Sequence, residues 1–263
     1  MHKCEAVLRN LAKLQQDTFY HELLGYDINE PVVLRKPMYM HPISFHWLHN
    51  FAEASNTEIA VQNRRNSSSE YEKNKLSHVG SMRFLDFVNQ VMSPGNDVYL
   101  TANNNLLSNP AMDGLYQRIK EANWYQHYPI RSITKQNALV WIGAQGSRTP
   151  LHHDTVMLLH HQFFGAKRWR LISPLDTPRV YNRQGVFSEI TDLDNVDYER
   201  FPDFRGVKIT DLTVRAGETL FLPLGWWHQV DCVEGPSMSV SFTDLSIVDD
   251  PYQFFHETVD KYD

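Results

Sequence analysis

From about residue 130 onward the chain is a series of short apolar stretches separated by turn signals. This pattern constrains the fold more than any other feature. The stretches 138–142, 151–164, 167–172, 207–214, 218–222, 227–233 and 237–242 each read as a strand. Ser173-Pro174 closes the third. Short strands in succession, with no helical periodicity between them, predict an antiparallel barrel or sandwich. One stretch, 175–206, breaks the series. It is rich in Pro, Asp and aromatics and carries Glu189, Asp192, Asp194, Asp197, Glu199 and Asp203, so it is expected to be a solvated excursion.

The first 130 residues read differently. Apolar residues recur at helical spacing over 5–24, where Ala6, Val7, Leu8, Leu11, Leu14, Phe19 and Leu23 predict a helix. A short strand at 31–34 follows. Helices are expected at 43–54, 84–92 and 110–121, with a strand at 97–101 and a final helix at 251–261. The polar run 62–78, with Arg64-Arg65 followed by Asn66 and three serines, predicts a surface loop or lid. No internal repeat is visible. With 263 residues, 42% apolar and 21% charged, the chain has enough apolar material for one large core, and wholesale disorder is excluded. A net charge of −6 excludes a strongly basic nucleic-acid footprint. Two cysteines, Cys4 and Cys232, cannot build a disulfide scaffold and fit a reducing compartment, so a cytoplasmic location is expected. No apolar run approaches the roughly 18 residues of a membrane helix, and the start lacks the apolar core of a signal peptide.

Thirteen histidines prompt a search for a metal site. The most informative segment is Thr149-Pro-Leu-His-His-Asp154. On a strand, His152 and Asp154 share one face and His153 takes the other. An imidazole beside a carboxylate supplies two thirds of a facial 2-His-1-carboxylate site, which leaves coordination positions open on Fe(II). His228, in Pro223-Leu-Gly-Trp-Trp-His-Gln229, is the candidate third ligand on a later strand. Alone, a His-x-Asp triplet in a histidine-rich chain arises by chance. Its neighbourhood argues otherwise. By strand alternation Lys167, Trp169 and Leu171 share a face, and burying an unpaired ammonium among apolar groups is costly unless an anion sits there. A dicarboxylic co-substrate chelating the metal would place its far carboxylate near such a lysine, within reach of the Thr149 hydroxyl. Gln229 or Asp231 is a candidate to orient a ligand from behind. Trp226 and Trp227 read equally as barrel packing or as a wall beside His228.

The spaced motifs Trp141-Ile-Gly143, Thr149-Pro-Leu-His-x-Asp154, Gly165-x-Lys-Arg-Trp169 and Gly217-Glu-Thr-Leu-Phe-Leu-Pro223-x-Gly-Trp-Trp-His228 occur in one order. Together they resemble the JmjC/cupin-like family of Fe(II)- and 2-oxoglutarate-dependent oxygenases, and most closely its small protein hydroxylases. The resemblance covers about 31–245. It implies a mainly β fold, a double-stranded β-helix (jelly-roll or cupin) core with flanking helices that are mostly N-terminal. The implied organisation is 1–130 as a helical and strand region on the barrel, 131–245 as the core and 246–263 as a C-terminal helix. The resemblance implies His152, Asp154 and His228 as iron ligands, with O2 as oxidant. It implies Lys167, Thr149 and Tyr99 around the distal carboxylate of 2-oxoglutarate, and Asn105 as an asparagine near that pocket. There are departures: Leu158 and Ser241 stand where the family often places asparagine, and Thr243 where it often places an aromatic. His160 is expected to line the pocket.

The activity so implied is hydroxylation of a protein or peptide side chain, with 2-oxoglutarate converted to succinate. Alternatives are hydroxylation of a small molecule or a modified tRNA nucleoside, N-methyl-lysine demethylation, and a non-catalytic cupin-like binding module. Arg64-Arg65, Lys73 and Lys75 offer a local contact for RNA despite the acidic balance. A homodimer is allowed by the resemblance, and no membrane partner is expected.

Overall fold

The computed structural model describes residues 7–10, 30–35, 43–101, 104–121 and 130–245. In chain order its elements begin with β1 (Val7–Asn10), β2 (Val32–Arg35), α1 (Phe45–Ser55), β3 (Glu58–Gln62), α2 (Lys75–His78) and β4 (Val79–Arg83). There follow α3 (Phe84–Gln90), β5 (Tyr99–Leu100), α4 (Asp113–Glu121), β6 (Ala138–Gly143), β7 (Arg148–His153) and β8 (Leu158–Ile172). The series ends with β9 (Asn182–Gln184), β10 (Phe187–Ser188), β11 (Ile209–Arg215), β12 (Glu218–Leu222) and β13 (Trp227–Phe242).

Two long strands organise the barrel. β8 and β13 pair antiparallel along nearly their whole length. The first half of β8 pairs β12, and the second half pairs β11. The first half of β13 pairs β7, and the second half pairs β6. Two four-stranded faces result, β6-β13-β8-β12 and β7-β13-β8-β11, and β8 and β13 pass from one to the other. This is the double-stranded β-helix expected above. Leu158, Leu220 and Leu222 of the first face pack with Trp169, Leu171, Val214 and Val230 of the second, so the two faces enclose a common interior.

The passage between faces is made at Gly165. Before it, His160 and Gln162 point inward while Leu159 and Phe163 join the outer core; after it, Lys167, Trp169 and Leu171 point inward. The parity of the strand therefore changes at this residue. Gly165 has φ +71°, and a Cβ there would stand 2.5 Å from the Glu234 carbonyl oxygen and 2.7 Å from that of Pro236. Only glycine tolerates both the left-handed backbone and this approach. The expected strands at 151–164 and 167–172 are thus β7 and one continuous β8, and those at 227–233 and 237–242 are the single bulged β13.

The outer side of the first face is covered by N-terminal helices. α1 begins at Ser44, whose Oγ accepts from Trp47 N (3.2 Å), and ends at Asn56 in the left-handed conformation. Its Trp47 and Phe51 rings stack at 5.1 Å, and Leu48 and Ala52 bury against α3 residues Phe84, Phe87 and Val88 and the sheet residues Val140, Met238 and Val240. The sheet continues through β5, β3 and β4 at one edge and through β2 and β1 at the other. β1 corrects the expected helix over 5–24 at residues 7–10, because pairing with Val32–Arg35 overrides the local helical pattern. The rest of that expected helix, the helix at 251–261 and Cys4 lie outside the described residues. No described helix is long and apolar enough to cross a membrane.

The excursion at 175–206 is not simply solvated. Val180, Ile190, Leu193, Phe201, Phe204 and Val207 form an apolar cluster with Leu151, Ile172 and Trp227 on the outer side of the second face. Two of its acids are held by strand arginines: Asp192 and Asp194 bind Arg148, Asp194 binds Arg170, and Asp231 on β13 binds both of those arginines. Gln229 Oε1 accepts from Leu193 N at 2.9 Å. We expect Gly165→Ala to cost about 3 kcal/mol, combining backbone strain with a forced shift of β13. Thermal unfolding should show a midpoint lower by roughly 6–12 °C.

Candidate metal centre

β7 and β13 lie side by side, with His152 directly opposite His228. Both point into the barrel, and Asp154, just past the end of β7, completes the group. The ligand atoms of His152, Asp154 and His228 lie within 4.8 Å of one another. His152 Nε2 is 3.9 Å from Asp154 Oδ1, and His228 Nε2 is 3.7 Å from Asp154 Oδ2. The two imidazole centroids are 4.1 Å apart.

Each imidazole is held from behind by main chain. His152 Nδ1 donates to the Pro150 carbonyl at 2.8 Å, and His228 Nδ1 donates to the Trp226 carbonyl at 2.9 Å. A carbonyl oxygen only accepts, so both protons sit on Nδ1 and both Nε2 lone pairs face the carboxylate. Phe187 stacks on His152 (5.5 Å) and Trp169 on His228 (5.4 Å), which limits ring rotation. Burial holds the His228 imidazole down at about 3, with the neighbouring His152 adding to the effect, so it stays neutral and able to bind a metal. Gln229 and Asp231, expected to orient a ligand, point to the other side of the sheet. Alternation sends them there, to tie down the excursion. Trp227 is also on that outer side, donating to Thr177 Oγ1 at 2.9 Å.

Lys167 is inside the barrel and 2% exposed. Its Nζ donates to Ser239 Oγ at 2.8 Å and to Tyr99 Oη at 3.2 Å, and stands 5.4 Å from the Trp141 ring centroid. Among the described residues no carboxylate pairs with it. Burial pushes its ammonium down to about 7 and the Tyr99 phenol well up. Tyr99 is reached because Gly143, opposite it in register, has no side chain; a Cβ there would meet the Tyr99 ring at 2.8 Å.

Strict alternation would turn Thr149 away from His152. The pairing of β7 with β13 slips between His228 and Val230, beside Pro150, and Thr149 is brought back to the inner side. There it meets Tyr99 and lines the cavity. Asn105 is elsewhere: it is exposed, with a left-handed backbone (φ 51°) ahead of a tight turn. Its neighbour Asn104 turns inward instead and donates to the Val140 carbonyl at 3.0 Å. His160 is buried, its Nδ1 2.9 Å from Ser241 Oγ. Ser237, Ser239 and Ser241 are three hydroxyls on the inner side of β13, contacting Gln162, Lys167 and the Trp141/His160 pair. Their period-two spacing was the signal that marks Ser239 as a partner of Lys167.

Part of this set borders a cavity of about 1120 Å³. Its inner end is lined by His152, Asp154, Thr149, Trp141 and Ser241, and its apolar walls by Leu139, Leu158, Val156 and Phe187. The outer rim comes from two segments, 69–75 and 183–200.

A jelly-roll barrel with an inward two-histidine, one-carboxylate group of this kind defines the cupin class of metal-site barrels. Residues 18–242 match the family model described as a cupin-like domain, and the chain belongs to that JmjC/cupin-like family. Human HSPB1-associated protein 1 is 37% identical over 134 residues, 48% of this chain and 26% of that protein. JmjC domain-containing protein C of Dictyostelium discoideum is 36% identical over 128 residues (44% of this chain, 31% of the relative). Jumonji C domain-containing protein 5 of Drosophila melanogaster is 38% identical over 105 residues (39% and 26%). The matches thus span about a quarter to a third of these relatives' lengths.

The donor set fits a divalent transition metal: two neutral imidazole nitrogens and one carboxylate, with the rest of the coordination sphere facing the cavity. Mn(II) at 100 times its Kd should stabilise the fold by about 2.7 kcal/mol, read as a rise in melting temperature, and Asp154→Ala should abolish the rise. Lys167 gives a second expectation. Unfolded, it titrates near the ordinary lysine value of 10.5; folded, burial brings it down to about 7. The folded state therefore binds fewer protons between these pH values, and the burial penalty is relieved as pH rises through that window. Melting of wild type minus Lys167→Met should move in favour of wild type from pH 7 to pH 10. An unchanged difference would contradict this account of Lys167.

Proposed function

We propose that the protein is an Fe(II)- and 2-oxoglutarate-dependent dioxygenase that hydroxylates a side chain of a protein or peptide. The observation that carries this reading is the metal triad placed in one barrel with a buried ammonium that lacks any acidic partner among the described residues. Such an ammonium calls for an anion. The far carboxylate of 2-oxoglutarate meets that need, held by Lys167, Tyr99 and Thr149. His152, Asp154 and His228 would hold the iron. When bound, iron with 2-oxoglutarate and O2 supplies the oxidising chemistry that places oxygen in a C–H bond, with succinate and carbon dioxide as the other products. The chain's own part is geometric. The carbonyls of Pro150 and Trp226 aim two lone pairs at one point. Leu139, Leu158, Val156 and Phe187 exclude water around it.

A protein substrate is supported by the room left at the outer end of the cavity, and by the name of the human relative, which speaks of association with a protein. A nucleic-acid substrate draws support from Lys73, Lys75, Arg183 and Arg200 at the rim. Arg65 no longer contributes to it, being buried on Glu72.

Turnover of 2-oxoglutarate to succinate with Fe(II) tests the reading. His152→Ala is expected to lose activity on the order of 100-fold. Equal turnover by the two proteins would refute it. Mass spectrometry of peptide pools and of tRNA incubated with the enzyme then identifies the class that gains one oxygen.

A further inference from the structure

The segment 62–78 has the composition of a solvated loop, yet it holds a fully buried charge that the proposed chemistry does not use. Arg65 is 0% exposed. Its Nη2 donates to Glu72 Oε1 at 3.0 Å and to the main-chain carbonyl of Arg148 at 2.5 Å. The guanidinium carbon lies 4.3 Å from the centroid of the Tyr71 ring and 4.8 Å from that of Tyr99. The Tyr71 hydroxyl donates to the same Arg148 carbonyl at 3.2 Å. The second oxygen of Glu72 accepts from Gln62 Nε2 at 3.1 Å, and both Gln62 and Glu72 line the cavity.

One guanidinium therefore touches three parts of the site: the segment forming one side of the cavity rim, the ring of Tyr99, and the residue directly before Thr149. Its contribution is not cheap stability. A buried ion pair recovers its desolvation only when its remaining donors are satisfied, and among the described residues Nε and Nη1 of Arg65 have no hydrogen-bond partner. An apolar side chain would pin the segment at lower cost. What a planar guanidinium gives, and an apolar group or a lysine does not, is a flat cationic face held over two rings while Nη2 serves both acceptors.

We propose that Arg65, oriented by Glu72, is a positioning residue that sets Tyr99 and Thr149 for the distal carboxylate of 2-oxoglutarate and ties that anchor to the wall the substrate meets. This rests on the co-substrate reading above. The site has two consequences built into it. Disturbing Arg65 weakens the co-substrate without touching the metal ligands. By linkage, a substrate that pulls on the 69–75 wall through Glu72 alters the affinity for 2-oxoglutarate, and the reverse holds equally.

The test titrates 2-oxoglutarate into the full chain loaded with Mn(II), by calorimetry, and measures Mn(II) affinity separately. Arg65→Lys keeps the charge and loses the flat face over the Tyr71 and Tyr99 rings. Its Kd for 2-oxoglutarate is expected to rise about tenfold, equivalent to about 1.4 kcal/mol, with Mn(II) affinity within about twofold of wild type. Tyr71→Phe and Glu72→Gln, which change one contact each, are expected to raise it about threefold, and they decide the matter if Arg65→Lys does not fold. Wild-type affinity in a folded Arg65→Lys protein would overturn the proposal. So would an equal loss of Mn(II) affinity, which would mean general loosening. Failure of wild type itself to bind 2-oxoglutarate is a different result, and would remove the co-substrate reading on which the proposal stands.

Discussion

The pairing of β8 with β13 is the interaction on which the rest depends. Each strand serves both faces of the barrel, so each must turn a corner, and they turn it together at Gly165 and residues 234–237. That corner sets the parity of everything downstream. It brings Lys167 and Trp169 inward on β8, and His228 inward on one half of β13 with Ser239 and Ser241 on the other. The His152–Asp154–His228 group and the Lys167 ammonium share one interior because β8 and β13 change face together.

The barrel interior is unusually polar for a buried space. His160, Gln162, Lys167, Ser237, Ser239 and Ser241 are all nearly inaccessible to water. Each polar group held there costs free energy unless it is hydrogen-bonded, and most find partners across β8 and β13. The Lys167 ammonium is the exception in kind: its partners are hydroxyls, which solvate a cation but do not neutralise it. A surrounding apolar shell of helices and the packed excursion supplies the stability against which this cost is set.

Much of the site was legible in the residues. His152 and Asp154 share a face by spacing alone, and Lys167 betrays itself by alternating with Trp169 and Leu171. What could not be read has identifiable physical causes. Thr149 was expected beside the far carboxylate although its parity is wrong for the inner side, and what the residues did not show is the slip of register, imposed by pairing partners, that brings it there. Arg65 sits among serines beside a second arginine and looks solvated; its burial depends on Glu72 and on two tyrosines, Tyr71 and the more distant Tyr99. Asp192 and Asp194 look like part of a charged surface until the arginines of β7 and β8 are known to face them. Asn105 was placed by similarity of position, and one left-handed residue in a tight turn leaves it exposed while its neighbour Asn104 bonds the Val140 carbonyl. Local pattern reports which face a side chain takes, and tertiary pairing decides where bulges reset the count.

The chemistry-bearing side chains stand on strands or, for Asp154, just past the end of one, whereas the mouth of the cavity is built by 69–75, between β3 and β4, and by 183–200, between β8 and β11. The second stretch is clasped to the outside of the sheet by ion pairs, and leaves the hydrogen-bond ladders of β8 and β13 undisturbed. Such an arrangement is modular on that side alone: the part of the mouth clasped outside the sheet, about 189–200, can be recharged without moving the two long strands, whereas 69–75 carries the Tyr71 and Glu72 contacts to Arg65 and cannot change without reaching Tyr99.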